Sequence, residues 1–342
     1  PEALFYFARC GKWPRISELL QTHGLELISG NRYRTLAELF EGIPDHIIFS
    51  DGWLSFFAGE ALFATTPQKC LSPLDRSRQI FHSLKQDTWE LLAIASILLY
   101  DITIDGKFGR KKKLVLRGDE LFQKVDAELD RATRVRIIHA LTMGAIYILG
   151  DSRKARAYNQ RAFNVLAEKG DVHRFQFAFI NLALEPLFSG RIDTGLTRLD
   201  TYFSLSSYHE LSPTLQFTLE LLYLFILTLK GSFSIYEDQK QRLLKACADI
   251  SRTSYLGTYT LLFDTEQLVF DGKFQKLLNV LSEQEDQPGI AGSPHILSQV
   301  LQYRAFALAV LGRHDELWES VKRSLKLRAR AGSPHFSAKN KI

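Results

Sequence analysis

Ala305-Phe306-Ala307-Leu308-Ala309-Val310-Leu311-Gly312-Arg313-His314 is an apolar, helix-forming run that reaches a glycine and turns polar. A short turn from one helix into the next needs a left-handed backbone residue, which costs a side-chain-bearing residue about 1 kcal/mol or more, so glycine is the natural occupant. The same arrangement stands at Gly106, Gly150, Gly190, Gly231, Gly272 and Gly312, a regular succession whose interval is about 40 residues. Four residues before each glycine lies an apolar residue: Ile102, Ile146, Pro186, Leu227, Leu268 and Leu308. Two residues after it a bulky side chain recurs (Phe108, Ile192, Phe233, Phe274, and Trp13 after Gly11), placed to plug the turn, with Ser152 and His314 as exceptions.

Apolar residues recur at three and four, and alternating β-branched runs are missing, so the pattern predicts an all-α superhelix, a solenoid of helix-turn-helix units about 40 residues long. Ala291-Gly292-Ser293-Pro294-His295 returns one unit later as Ala331-Gly332-Ser333-Pro334-His335, and Ser then Pro suits a helix N-cap followed by the first helical residue. The expected organisation is one repeat domain over 1–342: less regular repeats in 1–70, regular ones in 71–330, and the start of a further unit in 331–342, as in a fragment of a longer protein. In the first part Gly30 marks a short unit, and Thr65-Thr66-Pro67 stands where a glycine turn is expected. Pro186, inside an otherwise good helix, should kink it or end it early.

With 46% hydrophobic and 24% charged residues the chain has the composition of a folded domain and not of a disordered one. The longest apolar run, Leu219 to Leu229, is interrupted by Glu220 and is too short for a membrane span, and no basic leader opens the sequence. Cys10, Cys70 and Cys247 form no close pair, as expected of a reduced cytoplasmic protein. The net charge of +5 is spread along the chain; Arg110 to Lys113 reads as a solvated helix start, and Lys322, Arg323, Lys326, Arg328 and Arg330 as the outer face of a helix.

Motifs for catalysis fail one by one. Gly11-Lys12, Gly106-Lys107 and Gly272-Lys273 are each followed by Trp or Phe, so no phosphate-binding loop is present. The nine histidines form no HExxH or His/Cys cluster, no GxSxG elbow occurs, and the carboxylates Asp249 and Asp264 lack any fixed spacing. The expectation is a binding module with no activity and no cofactor of its own.

The helix, glycine, aromatic, helix order around Gly312 resembles a lengthened form of the tetratricopeptide (TPR) repeat, whose ordinary unit is about 34 residues. Leu4-Phe5-Tyr6-Phe7-Ala8-Arg9-Cys10-Gly11-Lys12-Trp13, Leu19-Leu20-Gln21-Thr22-His23-Gly24 and Thr35-Leu36-Ala37-Glu38-Leu39-Phe40-Glu41-Gly42-Ile43-Pro44 resemble the opening of the helical domain of MalT-type, LuxR-family ATP-dependent (STAND) transcriptional regulators. That resemblance implies a domain that senses an effector or partner protein and controls self-association and transcription, with ATP and DNA handled only by domains outside this chain. It carries over no individual site residue.

In such repeats the first helix of each unit lines the concave face, where a partner docks. Counting back from the glycines, those helices carry Tyr100, Asp101, Tyr147, Asn181, Glu185, Tyr223, Tyr259, Asp264, Glu266, Gln302 and Tyr303. Aromatic faces beside carboxylate and amide acceptors suit a small-molecule effector or a peptide, while helix-to-helix hydrogen bonding is the structural alternative for the same residues. Two functions compete: the sensor domain of a MalT-like regulator, or a stand-alone TPR-type adaptor holding a partner peptide in its groove.

Overall fold

A computed structural model describes residues 2–29, 32–102, 108, 111–167, 186, 190–204, 213–230, 238, 264–286 and 288–332. Every regular element among these residues is helical. By contact the chain divides into two compact units, Pro1–Ile104 with Lys113–Leu141, and Asp105–Lys112 with Thr142–Ile342.

The first unit contains α1 (Glu2–Arg9), α2 (Trp13–Ser29), α3 (Tyr33–Glu41), α4 (Asp45–Ile48), α5 (Gly52–Thr65), α6 (Leu71–Ser83), α7 (Asp87–Tyr100), α8 (Lys112–Val125) and α9 (Arg131–Gly144) up to Leu141. Asp51 caps α5, its carboxylate accepting from the Leu54 amide at 2.8 Å and from the Ser17 hydroxyl at 2.8 Å. Phe56, Phe57 and Phe81 are fully buried around Trp89, with ring centroids 5.7, 6.0 and 5.8 Å from it. This aromatic core ties α5, α6 and α7 together, and the edge-on pairs of Phe56 and Phe57 with Trp89 add to the stabilisation from burial.

The second unit contains α10 (Ser152–Ala167), α11 (Ile192–Ser204), α12 (Pro213–Lys230), α13 (264–270), α14 (Phe274–Glu285), α15 (Pro288–Ala291), α16 (Pro294–Val310) and α17 (His314–Ala331). Its C-terminal core is built by Leu277 and Leu281 of α14, Ile290, and Ile296, Val300, Leu301 and Leu308 of α16. Pro294 opens α16 as its sequence predicts, with Ser293 extended at the N-cap, but the Ser293 side chain makes no capping bond.

The predicted turn glycines adopt the predicted backbone. Gly150, Gly190, Gly272 and Gly312 have φ of 67°, 76°, 68° and 70°, as does Gly11 at 64°, whereas Gly106 and Gly231 lie outside the described residues. One hydrogen bond recurs: the amide after the glycine donates to the carbonyl four residues before it. It joins Lys12 to Phe7 (3.0 Å), Arg191 to Pro186 (2.7 Å), Lys273 to Leu268 (2.9 Å) and Arg313 to Leu308 (2.9 Å). Pro186, Leu268 and Leu308 therefore do two jobs, since they are also buried; Ile102, Ile146 and Leu227 are buried as well, but at Gly150 the Asp151 amide reaches one residue further back, to the Ala145 carbonyl at 2.9 Å. A proline suits this place at a helix end, because its carbonyl is what the turn uses. The helix expected before Pro186, and the unit expected to open at Ser333, lie outside the described residues.

Three features depart from the sequence reading. Lys85 takes the left-handed conformation (φ 55°) between α6 and α7, and the Gln86 amide closes that turn on the Phe81 carbonyl at 2.9 Å, without any glycine. Arg328, expected on an outer face, is buried, because it shares a face of α17 with Ser320 and Ser324 and packs inward; burial lowers its pKa. Arg131–Leu149, α9 prolonged by a π turn over Ala145–Leu149, is long and apolar enough to cross a membrane by length and composition, and it is mostly buried within the fold.

A Cβ added at Gly312 meets nothing within 4 Å, so a substitution there tests the backbone alone. Gly312→Ala should cost about 1 kcal/mol, and Gly312→Asn less, because Asn tolerates the left-handed region. Urea denaturation of the three proteins measures the order.

Candidate functional site

Three successive first helices of the first unit carry a polar ladder inside an apolar setting. Arg136 of α9 places Nη2 2.6 Å from Glu60 Oε2 of α5 and donates to Ser96 Oγ of α7 at 3.1 Å, while the Ser96 hydroxyl donates to Glu60 Oε1. Glu60 is 1% exposed and Ser96 4%. Burial alone would lower the Arg136 pKa, but the Glu60 carboxylate and then Tyr33 raise it, so the guanidinium stays charged. Tyr33 is pushed up to about 12 by burial, against the opposing field of Arg136 and with that of Glu60. Cys70 is likewise pushed up to about 12, by burial first and then by Glu60 and Asp101, so it remains an unreactive thiol. The chemistry here is cohesion: a buried ion pair with a hydroxyl bridge, and no nucleophile.

A second ion cluster joins α6, α7 and α8. Arg117 grips the buried Glu90 with Nε and Nη2, both at 3.0 Å, and His82 Nδ1 lies 3.1 Å from the same carboxylate. Burial would raise the Glu90 pKa, but the hydrogen bonds from Arg117 and His82 hold it below the ordinary carboxylate range.

The expected groove residues fall into both units. Tyr100 and Asp101 are buried at the end of α7, Tyr100 against Phe63 with ring centroids 6.4 Å apart. In the second unit the half-buried Tyr147 meets Phe108 and His295, with centroids at 6.0 and 6.3 Å. Phe108 lies 6.0 Å from His295, and its amide donates to the Ala331 carbonyl. Phe108, expected to plug the turn after Gly106, is thus part of an aromatic cluster with residues distant in sequence.

Tyr223 is buried edge-on against Phe203 at 5.0 Å. The Tyr303 hydroxyl donates to Glu266 at 2.5 Å, and burial, the Glu266 charge and that bond raise the Tyr303 pKa above its ordinary value. Asp264 and Gln302 are half-buried, while Asn181, Glu185 and Tyr259 lie outside the described residues. Of the predicted set, the structure joins Glu266 to Tyr303 directly, and that contact is the helix-to-helix bond of the structural alternative.

Sequence reasoning missed Glu60, Ser96 and Arg136, although spacings of 36 and 40 residues put them at matching places in successive repeats. It also missed His295, and Glu285, which accepts from Arg304 and Arg323 at 2.8 Å each. Beside Arg304 a cavity of about 180 Å³ is lined by Gln275, Asn279, Ser282, Arg313 and Glu316. Among the described residues no group of three or more His, Cys, Asp or Glu is placed to hold a metal.

No family model matches this sequence, and no curated protein matches it. Among solved structures the chain is similar to a Rap protein complexed with competence and sporulation factor, with a TM-score of 0.64 and 11% identity over 96% of this chain and 96% of that one. The likeness shows the fold, an all-α superhelix of TPR-like helical repeats.

Removing one partner of the Glu60–Arg136 pair leaves a buried charge uncompensated, so Glu60→Gln and Arg136→Met should each cost about 3–5 kcal/mol, and the double variant clearly less than their sum. Equilibrium denaturation of the four proteins in the cycle measures the coupling.

The Glu90 pKa is depressed on folding, so its contribution is complete above the unfolded carboxyl value of about 4.3 and fades as pH falls through the lower folded value. Arg117→Ala should therefore cost about 1–2 kcal/mol at neutral pH, with the gap closing toward acid. Denaturation at pH 7 and at pH 3 compares the two proteins.

Proposed function

We propose that this chain is a regulatory binding module whose helical repeats hold a partner peptide against the first helices, without catalysing a reaction and without a cofactor of its own. The observation that carries this reading is the likeness along the whole chain to a Rap protein complexed with competence and sporulation factor. The residues available in the second unit suit such a ligand: the half-buried Tyr147 offers an aromatic face, and the half-buried Gln302, with what the Glu266–Tyr303 bond leaves over, offers hydrogen bonds on the first helices. A small-molecule effector is the alternative occupant of the same groove. The cytoplasm, where the cysteines would stay reduced, is the expected compartment.

The stretches around Phe7, Leu19 and Leu39 favour a more specific version, in which the module senses an effector for a MalT-like transcriptional regulator and acts on ATP- and DNA-binding domains outside this chain. An in-frame upstream P-loop ATPase and downstream DNA-binding domain in the gene would support that version, and their absence would leave the adaptor reading alone.

Probing a random-sequence peptide array with the labelled chain tests the groove. A defined subset of peptides should bind with Kd of about 1–10 µM, and Tyr147→Ala should weaken them by about tenfold, the effect of losing one well-packed aromatic contact. A chain that selects no peptide, or a Tyr147→Ala variant that binds as the parent does, rejects it.

A further inference from the structure

Helix α17 carries a buried face and, beside it, an exposed apolar one. Ser320, Ser324, Arg328 and Ala331 are buried on one, where α17 packs on α16. Around the helix by about 100°, the rotation of a single residue, runs a second stripe of Trp318, Val321 and Leu325. Trp318 is 60% exposed and Leu325 44%. A fluctuating surface side chain does not explain this stripe, because its spacing of three and four residues is that of a packed helix face.

The preceding repeat shows what such a face is built to meet. One period earlier, Leu278 and Leu281 of α14 stand where α17 has Trp318 and Val321, and they are 6% and 0% exposed in the core they share with α16. The position thus receives a helix in one copy and stands open in the next. The sequence after Gly332 repeats Ser-Pro-His but places Asn340 and Lys341 where α16 has Val300 and Leu301, so it lacks the apolar pair that makes α16 a covering helix.

The charges beside the stripe point to its occupant. Asp315 and Glu319 are exposed along its flank in the first half of α17, and Lys322, Lys326 and Arg330 are exposed in the second half. A two-fold axis perpendicular to the helix sets two copies antiparallel and keeps the same flank of each on the same side. The acidic half of one α17 then lies beside the basic half of the other, while the Trp318, Val321 and Leu325 stripes meet. A parallel or heterologous partner gains no such match from this chain's own charges.

We propose that the outer face of α17 is a self-association surface, through which two copies of this chain form an antiparallel, two-fold dimer. The face is independent of the groove residues of the second unit.

Sedimentation equilibrium of the 342-residue chain tests it. The expected result is a dimer with Kd at or below about 10 µM, accompanied by a blue shift of tryptophan emission as concentration rises and Trp318 leaves water. Leu325→Glu should raise the Kd at least tenfold with unchanged helical circular dichroism. Reversing the acidic half, Asp315→Lys with Glu319→Lys, should also give a monomer, and adding Lys322→Glu with Lys326→Glu should restore the dimer by re-forming the match. A parent chain that stays monomeric at about 100 µM overturns the proposal, whatever else covers the stripe. A dimer that survives Leu325→Glu, or one that the second pair of charge reversals does not restore, overturns it as well.

Discussion

The turn closed between the amide after Gly272 or Gly312 and the carbonyl four residues before that glycine is the constraint on which the rest of the described repeats depend. It uses the left-handed conformation at one residue to satisfy a carbonyl that the helix end would otherwise leave unpaired. It also fixes where the second helix starts, since the chain must reverse within two residues. Once the reversal is fixed, the residue that supplies the carbonyl is committed to the interface between the two helices, and it must be apolar. One local bond therefore dictates a long-range packing position, and its return in unit after unit yields a repeated core.

This explains why so much of the fold could be read from the sequence and so little of the polar interior. Gly190, Gly272 and Gly312, and the buried residues four before them, are local signals that a single chain displays in order. The Lys85 turn escaped because the left-handed conformation does not oblige glycine: Lys85 accepts its cost, and the Gln86 amide still closes on Phe81. Arg328 was misread for a related reason. A charge run on a helix gives composition, not rotation: the other four basic residues of the run, Lys322, Arg323, Lys326 and Arg330, are exposed while Arg328 is buried with the face that packs on α16.

The ladder of Glu60, Ser96 and Arg136 shows a different limit. Each residue belongs to an apolar helix, and none belongs to a motif; they meet because equivalent places in successive repeats are stacked side by side. Separations of 36 and 40 residues carry that information, but only after the period is known and aligned. The groove residues had the same standing, and the bond between Tyr303 and Glu266 shows that a polar side chain on a first helix can be consumed by its neighbour. A satisfied pair of this kind is pre-organised: Tyr303 offers an outside ligand only what its bond to Glu266 leaves over.

A repeat protein carries its own internal controls, because each position recurs in a slightly different environment. Leu278 and Trp318 occupy one place in the unit, as do Glu285 and Leu325. In the earlier copy Leu278 is covered, and Glu285 is neutralised by Arg304 from α16 and Arg323 from α17. In the later copy the carboxylate has become an exposed leucine, so the charge that α14 directs toward two arginines is replaced by apolar surface on α17. A position that only had to face water would have no physical reason to lose its charge and gain a side chain that water disfavours. The exchange makes sense where the surface is to be covered by another helix.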